Sequence, residues 1–191
     1  TDNLAIVAYC NLVGGQDELV FDGGSLIFDQ KGELIARGKQ FEEDLVLADL
    51  DMEAVFRMRL HDPRIRRERQ SEEEKSLQKI ELPDQSHSSK RKPPIPKRDN
   101  KPLDRFAEIY AALVLGTGDY IRKNGFQRVL IGLSGGIDSA LTAAVAVDAL
   151  GKKAVVGVAM PSQYSSRESI EDAKTLAKNL GIQFLTIPIT E

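Results

Sequence analysis

Ser134, Gly135, Gly136, Ile137, Asp138 and Ser139 are the residues whose types and spacing best describe a reactive site. Two adjacent glycines let backbone N–H groups converge, and a helix starting directly after them adds unsatisfied donors and the positive end of its dipole. Ser134 and Ser139 supply hydroxyls, and Asp138 supplies a carboxylate able to hold Mg2+ beside phosphate oxygens. Together these groups describe an anion grip for a nucleotide. A Gly-Gly turn followed by a Ser or Asp helix cap is also a common structural device. The run is neither a Walker A loop, since no Lys-Ser/Thr follows the glycines, nor the G-x-G-x-x-G dinucleotide fingerprint.

Such a grip needs a strand before it and a helix after it. Residues 129–133 are short, apolar and β-branched, as a buried parallel strand should be. Residues 138–150 form the helix, with Leu141, Ala144, Val145 and Ala149 on one face and Gly151 as its stop. The surrounding pattern is regular. Pro102 and Asp104 start a helix in which Phe106, Ile109, Tyr110, Leu113, Val114 and Ile121 recur at helical spacing until Gly125, while Gly116 and Gly118 weaken its middle turn. Strand 154–160, helix 170–180 ending at Gly181, and strand 184–189 follow. Strands alternating with helices predict a parallel sheet whose ligands bind beyond the carboxyl ends of its strands. The 134–139 and 160–166 loops fall at that edge. Ser165 is therefore a candidate contact to adenine or ribose, although Ser165 with Glu168 also reads as a capping box and Ser166 as a cap.

The first 60 residues read differently. They predict a buried strand over 4–9, loops at Gly14-Gly15 and Gly23-Gly24, strands 25–28 and 33–37 joined by Asp29-Gln30-Lys31-Gly32, and a third strand over 44–50. A short helix containing Met52, Val55, Phe56 and Arg59 is capped by Asp51. Residues 61–100 are charged and Pro-rich, too poor in apolar side chains to bury a core, and read as a linker. Its basic clusters, 64–67 and 90–92, alternate with acidic residues and lack an aromatic platform, so a solvated linker is favoured over a nucleic-acid face. Cys10 has no base near it in sequence, which favours a packing role over a nucleophilic one, and His61 and His87 show no ligand spacing. Turn formation explains Asp17, Glu18 and Asp22. No metal is expected beyond the Mg2+ that a nucleotide brings.

Composition sets outer bounds. With 191 residues, 41% hydrophobic and 29% charged, the chain is ordinary globular material, and no apolar run approaches the roughly 20 residues of a membrane helix. A net charge of −3 offers no global attraction for nucleic acid. One cysteine excludes a disulfide framework and fits a reducing cytoplasm. The chain opens at Thr1 without a basic n-region, so no signal peptide is expected, and a chain cut from something longer is.

The Ser-Gly-Gly-x-Asp-Ser run resembles the pyrophosphate loop of the ATP pyrophosphatase family. Residues 11–25, with their Gly-rich Asn11 to Ser25 pattern, resemble the end of a nitrilase-type amidase domain. In particular they are similar to the glutaminase domain of glutamine-dependent NAD+ synthetases. Residues 110–116 and 123–126, Met160-Pro161-Ser162 and Tyr164-Ser165-Ser166 resemble the opening of the synthetase domain in that family. The resemblance implies an α/β chain: a partial nitrilase-like β-rich segment over 1–60, a linker over 61–100, and a partial Rossmann-like, adenine-nucleotide α-hydrolase-like domain over 101–191. It implies ATP-dependent amidation of deamido-NAD+ with glutamine-derived ammonia, through an adenylate. By motif position Gly132, Leu133, Ser134, Gly135, Gly136, Ile137, Asp138 and Ser139 contact ATP, and Asp138 binds Mg2+. It further implies a cytoplasmic homo-oligomer without nucleic-acid or membrane partners. The glutaminase Cys, Glu and Lys of the family lie upstream of Asn11, so no catalytic residue is assigned here, and the 191-residue piece alone is expected to be inactive. Two alternatives stay open: another adenylating enzyme with the same loop, and a non-catalytic ATP-binding module.

Overall fold

The computed structural model describes residues 4–63 and 93–189. The expected linker, with its basic clusters and His87, falls largely outside them. The chain folds as two compact units. One comprises Thr1–Cys10, Gly24–Lys39 and Asp44–Lys101; the other comprises Asn11–Gly23, Gln40–Glu43 and Pro102–Glu191.

In the first unit, β1 (Val7–Tyr9), β4 (Leu26–Phe28) and β5 (Leu34–Arg37) form an antiparallel sheet of order β1-β4-β5. The β4–β5 connection is the anticipated one: Asp29 accepts hydrogen bonds from the N–H groups of Lys31 and Glu33, each at 2.8 Å. The helix α1 (Met52–His61) is capped by Asp51, whose carboxylate accepts from the Ala54 N–H at 2.9 Å. Two expectations fail here. The strand over 4–9 shrinks to Val7–Tyr9 and is exposed, with Val7 at 52%, because β1 is an edge strand of the small sheet. Residues 44–50 form no strand. Their polar groups are committed elsewhere: Asp44 pairs with Arg98 at 2.9 Å, Asp49 accepts from the Ile95 N–H, and Arg98 donates to the Leu45 carbonyl.

The second unit contains a parallel sheet of order β6-β7-β8, built from β6 (Val129–Gly132), β7 (Val155–Ala159) and β8 (Gln183–Thr186). The helix α3 (Ile137–Leu150) connects the first pair and α4 (Arg167–Leu180) the second, with α2 (Arg105–Lys123) preceding them all. Every residue of β7 is buried, and its Val155 sits at the centre of a core of Leu133, Ala143, Ala146, Ala173, Ala177 and Ile182. The alanines let both helices approach the sheet closely, so the packing is dense without large side chains. For that reason α3 buries Ala143, Val145 and Ala146, and the expected face is rotated: Leu141 remains 52% exposed. An apolar helix with no sharp polar side gives no unique stripe to read. At its outer edge β6 alternates between partial and full exposure rather than being buried throughout.

This unit also holds a β-hairpin, β2 (Val13–Gln16) and β3 (Leu19–Asp22), where the sequence suggested only a Gly-punctuated loop. The helix α2 runs unbroken through Gly116 and Gly118, started by Asp104, which accepts from the N–H groups of Phe106 and Ala107.

Candidate functional site

The 134–139 loop is built from its anchor outward. Leu133 is buried, its N–H donates to the Val158 carbonyl at 2.8 Å, and its side chain fills the space that a Cβ on Gly157 would occupy. The chain then leaves the sheet. Gly135 adopts φ +80°, and a Cβ there would lie 2.5 Å from the Ser169 carbonyl oxygen. Both constraints demand glycine. They also place the loop directly against the first turn of α4.

Hydroxyls brace the turn from within. Ser139 Oγ donates to the Gly136 carbonyl at 3.0 Å and accepts from the Ser134 N–H at 3.3 Å. Ser134 Oγ lies 3.1 Å from Ser139 Oγ and accepts from the Gly136 N–H at 3.3 Å. Gly136 is the N-cap of α3 and provides no side-chain cap, so the opening N–H groups of that helix are not satisfied by a capping side chain. Ser134, Gly136, Ile137 and Asp138 are exposed at this mouth. The arrangement combines a helix N-terminus, with its positive dipole end, and one exposed carboxylate in the first turn.

Asp138 can share a divalent cation with a phosphate chain. Magnesium suits one carboxylate plus phosphate and water oxygens. Among the described residues no group of three or more His, Cys, Asp or Glu side chains could hold a metal by itself. A single exposed carboxylate suits a metal that arrives with its nucleotide.

The 160–166 loop emerges from the end of β7, and Met160 Cε would sit 3.4 Å from a Cβ on Gly132. Ser165 is exposed and is not the helix cap. Its Oγ accepts from the Ser162 N–H at 3.0 Å, closing a turn, whereas Ser166 caps α4 by accepting from the Ser169 N–H at 3.1 Å. The cap thus falls one residue later than the expected Ser165/Glu168 capping box, and Ser169 Oγ lies 2.8 Å from Ser166 Oγ. Cys10 is exposed.

Sequence reasoning missed one cluster. Asp119, with 18% of its side chain exposed, accepts from the Gly15 N–H of the hairpin at 2.8 Å and pairs with Arg122 at 2.9 Å. These partners, the Gly15 N–H foremost, hold its carboxyl below the usual value of 3.8, with the Lys123 and Arg122 charges adding to the effect. Lys123 Nζ donates to the Gly15 carbonyl, and Arg122 also reaches the Ala149 carbonyl of α3 at 3.3 Å. The available signal was the pair of glycines inside a helical repeat. A Cβ on Gly15 would stand 3.0 Å from Gly116 Cα, so the hairpin backbone touches the helix backbone there.

Comparison with known families decides the class. Residues 2–59 match the carbon-nitrogen hydrolase model and residues 109–191 the NAD synthase model. The chain is 51% identical over 187 residues to the glutamine-dependent NAD(+) synthetase of Thermotoga maritima and 52% identical over 191 residues to that of Aquifex aeolicus. These alignments cover 97% and 100% of this chain. This chain belongs to the glutamine-dependent NAD(+) synthetase family. A solved family structure, from Acinetobacter baumannii in complex with ADP, superposes with a TM-score of 0.69 at 37% identity, covering 97% of this chain and 28% of that one. The chain spans about a third of its curated relatives, 31% of the Thermotoga and 32% of the Aquifex synthetase. The family order, hydrolase then synthetase, is the α/β organisation expected from the sequence. Among the described residues no helix is long and apolar enough to cross a membrane.

Proposed function

We propose that the intact protein containing this chain makes NAD+ from deamido-NAD+, ATP and glutamine-derived ammonia, and that the 134–139 loop grips the pyrophosphate of ATP. One observation carries the reading: the complete Ser-Gly-Gly-x-Asp-Ser run leaves the end of β6 and enters the first turn of α3, with Ser134, Gly136, Ile137 and Asp138 exposed there. The deamido-NAD+ carboxylate attacks the α-phosphorus of ATP; a P–O bond forms and the bond to pyrophosphate breaks. Ammonia then attacks the activated carbonyl, AMP leaves with the former carboxylate oxygen, and a proton is released. Backbone N–H groups of Gly135, Ile137 and Asp138 face the charge that accumulates on pyrophosphate, the Gly136 N–H being committed to Ser134 Oγ, and this stabilisation lowers the barrier to the first step. Ser134 and Ser139 hold the loop in that shape before ATP arrives. Gly132 and Leu133 set its take-off from the sheet, and Ser165 borders the nucleotide. Mg2+ held between Asp138 and the phosphates would neutralise part of the same charge.

In this reading residues 1–60 belong to the hydrolase side, 61–100 link the halves and 101–191 open the synthetase side. The enzyme works in the cytoplasm, as its unpaired Cys10 accords with, and assembles as a homo-oligomer, which sedimentation of the intact protein measures.

The test is product formation. The intact protein supplied with deamido-NAD+ and Mg·ATP should yield NAD+ with either ammonia or glutamine. No NAD+ from either nitrogen source ends the proposal. Asp138→Ala should lower kcat/KM for Mg·ATP by roughly 10–100-fold with folding intact; unchanged kinetics would remove the metal role.

A further inference from the structure

We propose that the β2–β3 hairpin, although it lies within the hydrolase-matching residues, is a positioning element of the nucleotide-binding unit, clamping α2 and through it the helix that carries the 134–139 loop. The inference deepens the proposed function and rests on the loop being its ATP site.

The clamp has two jaws. Near the start of α2, Gln40 bridges to Gly23 at the hairpin base and its side-chain oxygen accepts from the Leu103 N–H at 2.8 Å, one residue before the Asp104 cap. Gln40 also donates to Asp22, which is held in turn by Asn11 at 2.9 Å. Toward the end of α2, Asp119 and Lys123 take both backbone groups of Gly15, over the Gly15–Gly116 contact. A glycine-on-glycine contact with flanking charge-assisted hydrogen bonds fixes spacing as well as affinity, since neither backbone can slide without losing a partner.

The clamp continues to α3. Arg122 joins Asp119 to the Ala149 carbonyl, and the Tyr110 hydroxyl donates to Asp148 at 2.6 Å. These contacts hold the last turn of α3, and its first turn presents Ile137 and Asp138. A helix is a stiff rod, so a shift imposed at one end is delivered at the other. Displacements of about 1 Å in groups that position a reacting substrate are costly. The bonds that carry the clamp from the hairpin end on α2 and on the last turn of α3, so its action on the loop is positional.

The experiment uses the intact protein, its Asp119→Asn variant and its Gly15→Ala variant, whose methyl must displace the hairpin from Gly116 by a few tenths of an ångström. Ammonia-driven NAD+ formation is measured against Mg·ATP concentration, alongside thermal melting. The expected result is a KM for Mg·ATP raised about fivefold with kcat changed less than about twofold, in both variants. Unchanged KM in a folded variant overturns the proposal. So does a fall in kcat that merely tracks lost stability. Should Asp119→Asn fail to fold, Gly15→Ala decides alone. A second arm titrates parent and Gly15→Ala with the non-cleavable α,β-methylene analogue of ATP. If the parent makes no NAD+, the proposed function fails, yet weaker analogue binding by Gly15→Ala still supports the clamp. Equal binding by the two proteins, or none by the parent, overturns it.

Discussion

Each of the two units has its own source of internal cohesion. In the second unit one continuous apolar cluster, centred on Val155, joins the sheet to α3 and α4. In the first unit the buried apolar side chains are few, with Leu4, Ala36 and Val55 the examples among described residues, and much of the cohesion is polar. Asp44 with Arg98 and the Lys39 N–H, Asp49 with the Ile95 N–H, Arg59 with the Leu4 carbonyl, and Asn100 with the Arg37 carbonyl tie distant segments together. The difference teaches where a ligand loop can be rigid. A loop anchored by a buried Leu133 inherits the stiffness of a packed core, whereas exposed and half-buried hydrogen bonds between distant segments give less resistance to local opening.

The contrast can be broken most forcefully at Gly135. Gly135→Ala drives a methyl into the Ser169 backbone, so kcat/KM for Mg·ATP in the intact protein should fall by about 100-fold or more. A variant with parental ATP kinetics would show that the tight turn has no part in nucleotide use. The core comes next. Val155→Ala should destabilise by about 1–3 kcal/mol, while Val7→Ala on exposed β1 should change stability by less than about 0.5 kcal/mol. Comparable losses in denaturant titrations of the two variants would erase the distinction between the units.

A smaller effect sharpens the reading of the 160–166 loop. Ser166→Ala removes the α4 cap and should cost about 1 kcal/mol, whereas Ser165→Ala should leave stability within about 0.5 kcal/mol of parent. The reverse order would restore Ser165 as the cap. The smallest effect is a pH dependence. The carboxyl of Asp119 is depressed in the folded protein, so its contribution is complete above the usual 3.8 and is lost as pH falls through the lower folded value. The melting difference between parent and Asp119→Asn should be constant near neutrality and shrink in acid below about pH 4. A difference that grows on acidification would contradict the assigned partners.

Legibility followed periodicity. The β6-loop-α3 sequence, β7, α4 and β8 could be read because apolar spacing, glycine stops and Ser or Asp caps all point the same way there. The Asp104 and Asp51 caps and the Asp29 turn were legible from the same local chemistry. What stayed hidden depends on partners distant in sequence. Residues 44–50 have a strand-like composition, yet contacts some fifty residues away recruit Asp44, Leu45 and Asp49. The hairpin was masked because Gly14 and Gly15 read as turn residues, and the backbone contact of Gly15 with α2 appears only when Gly116 is set beside it. Ser165 and Ser166 both read as caps, and geometry alone separates a turn closer from a cap. In the candidate site the loop residues were all named in advance, while Asp119, Lys123 and Arg122 were not, since ordinary charges late in a helix carry no special spacing.

The role proposed for the 134–139 loop is to help break the bond between the α- and β-phosphates of ATP. The most direct measurement is quantitative 31P NMR of the intact protein turning over ATP, deamido-NAD+ and ammonia. The proposed function requires AMP and pyrophosphate in equal amounts with NAD+, and their loss in Gly135→Ala. Release of ADP and inorganic phosphate, or pyrophosphate formed equally well by the variant, would contradict it.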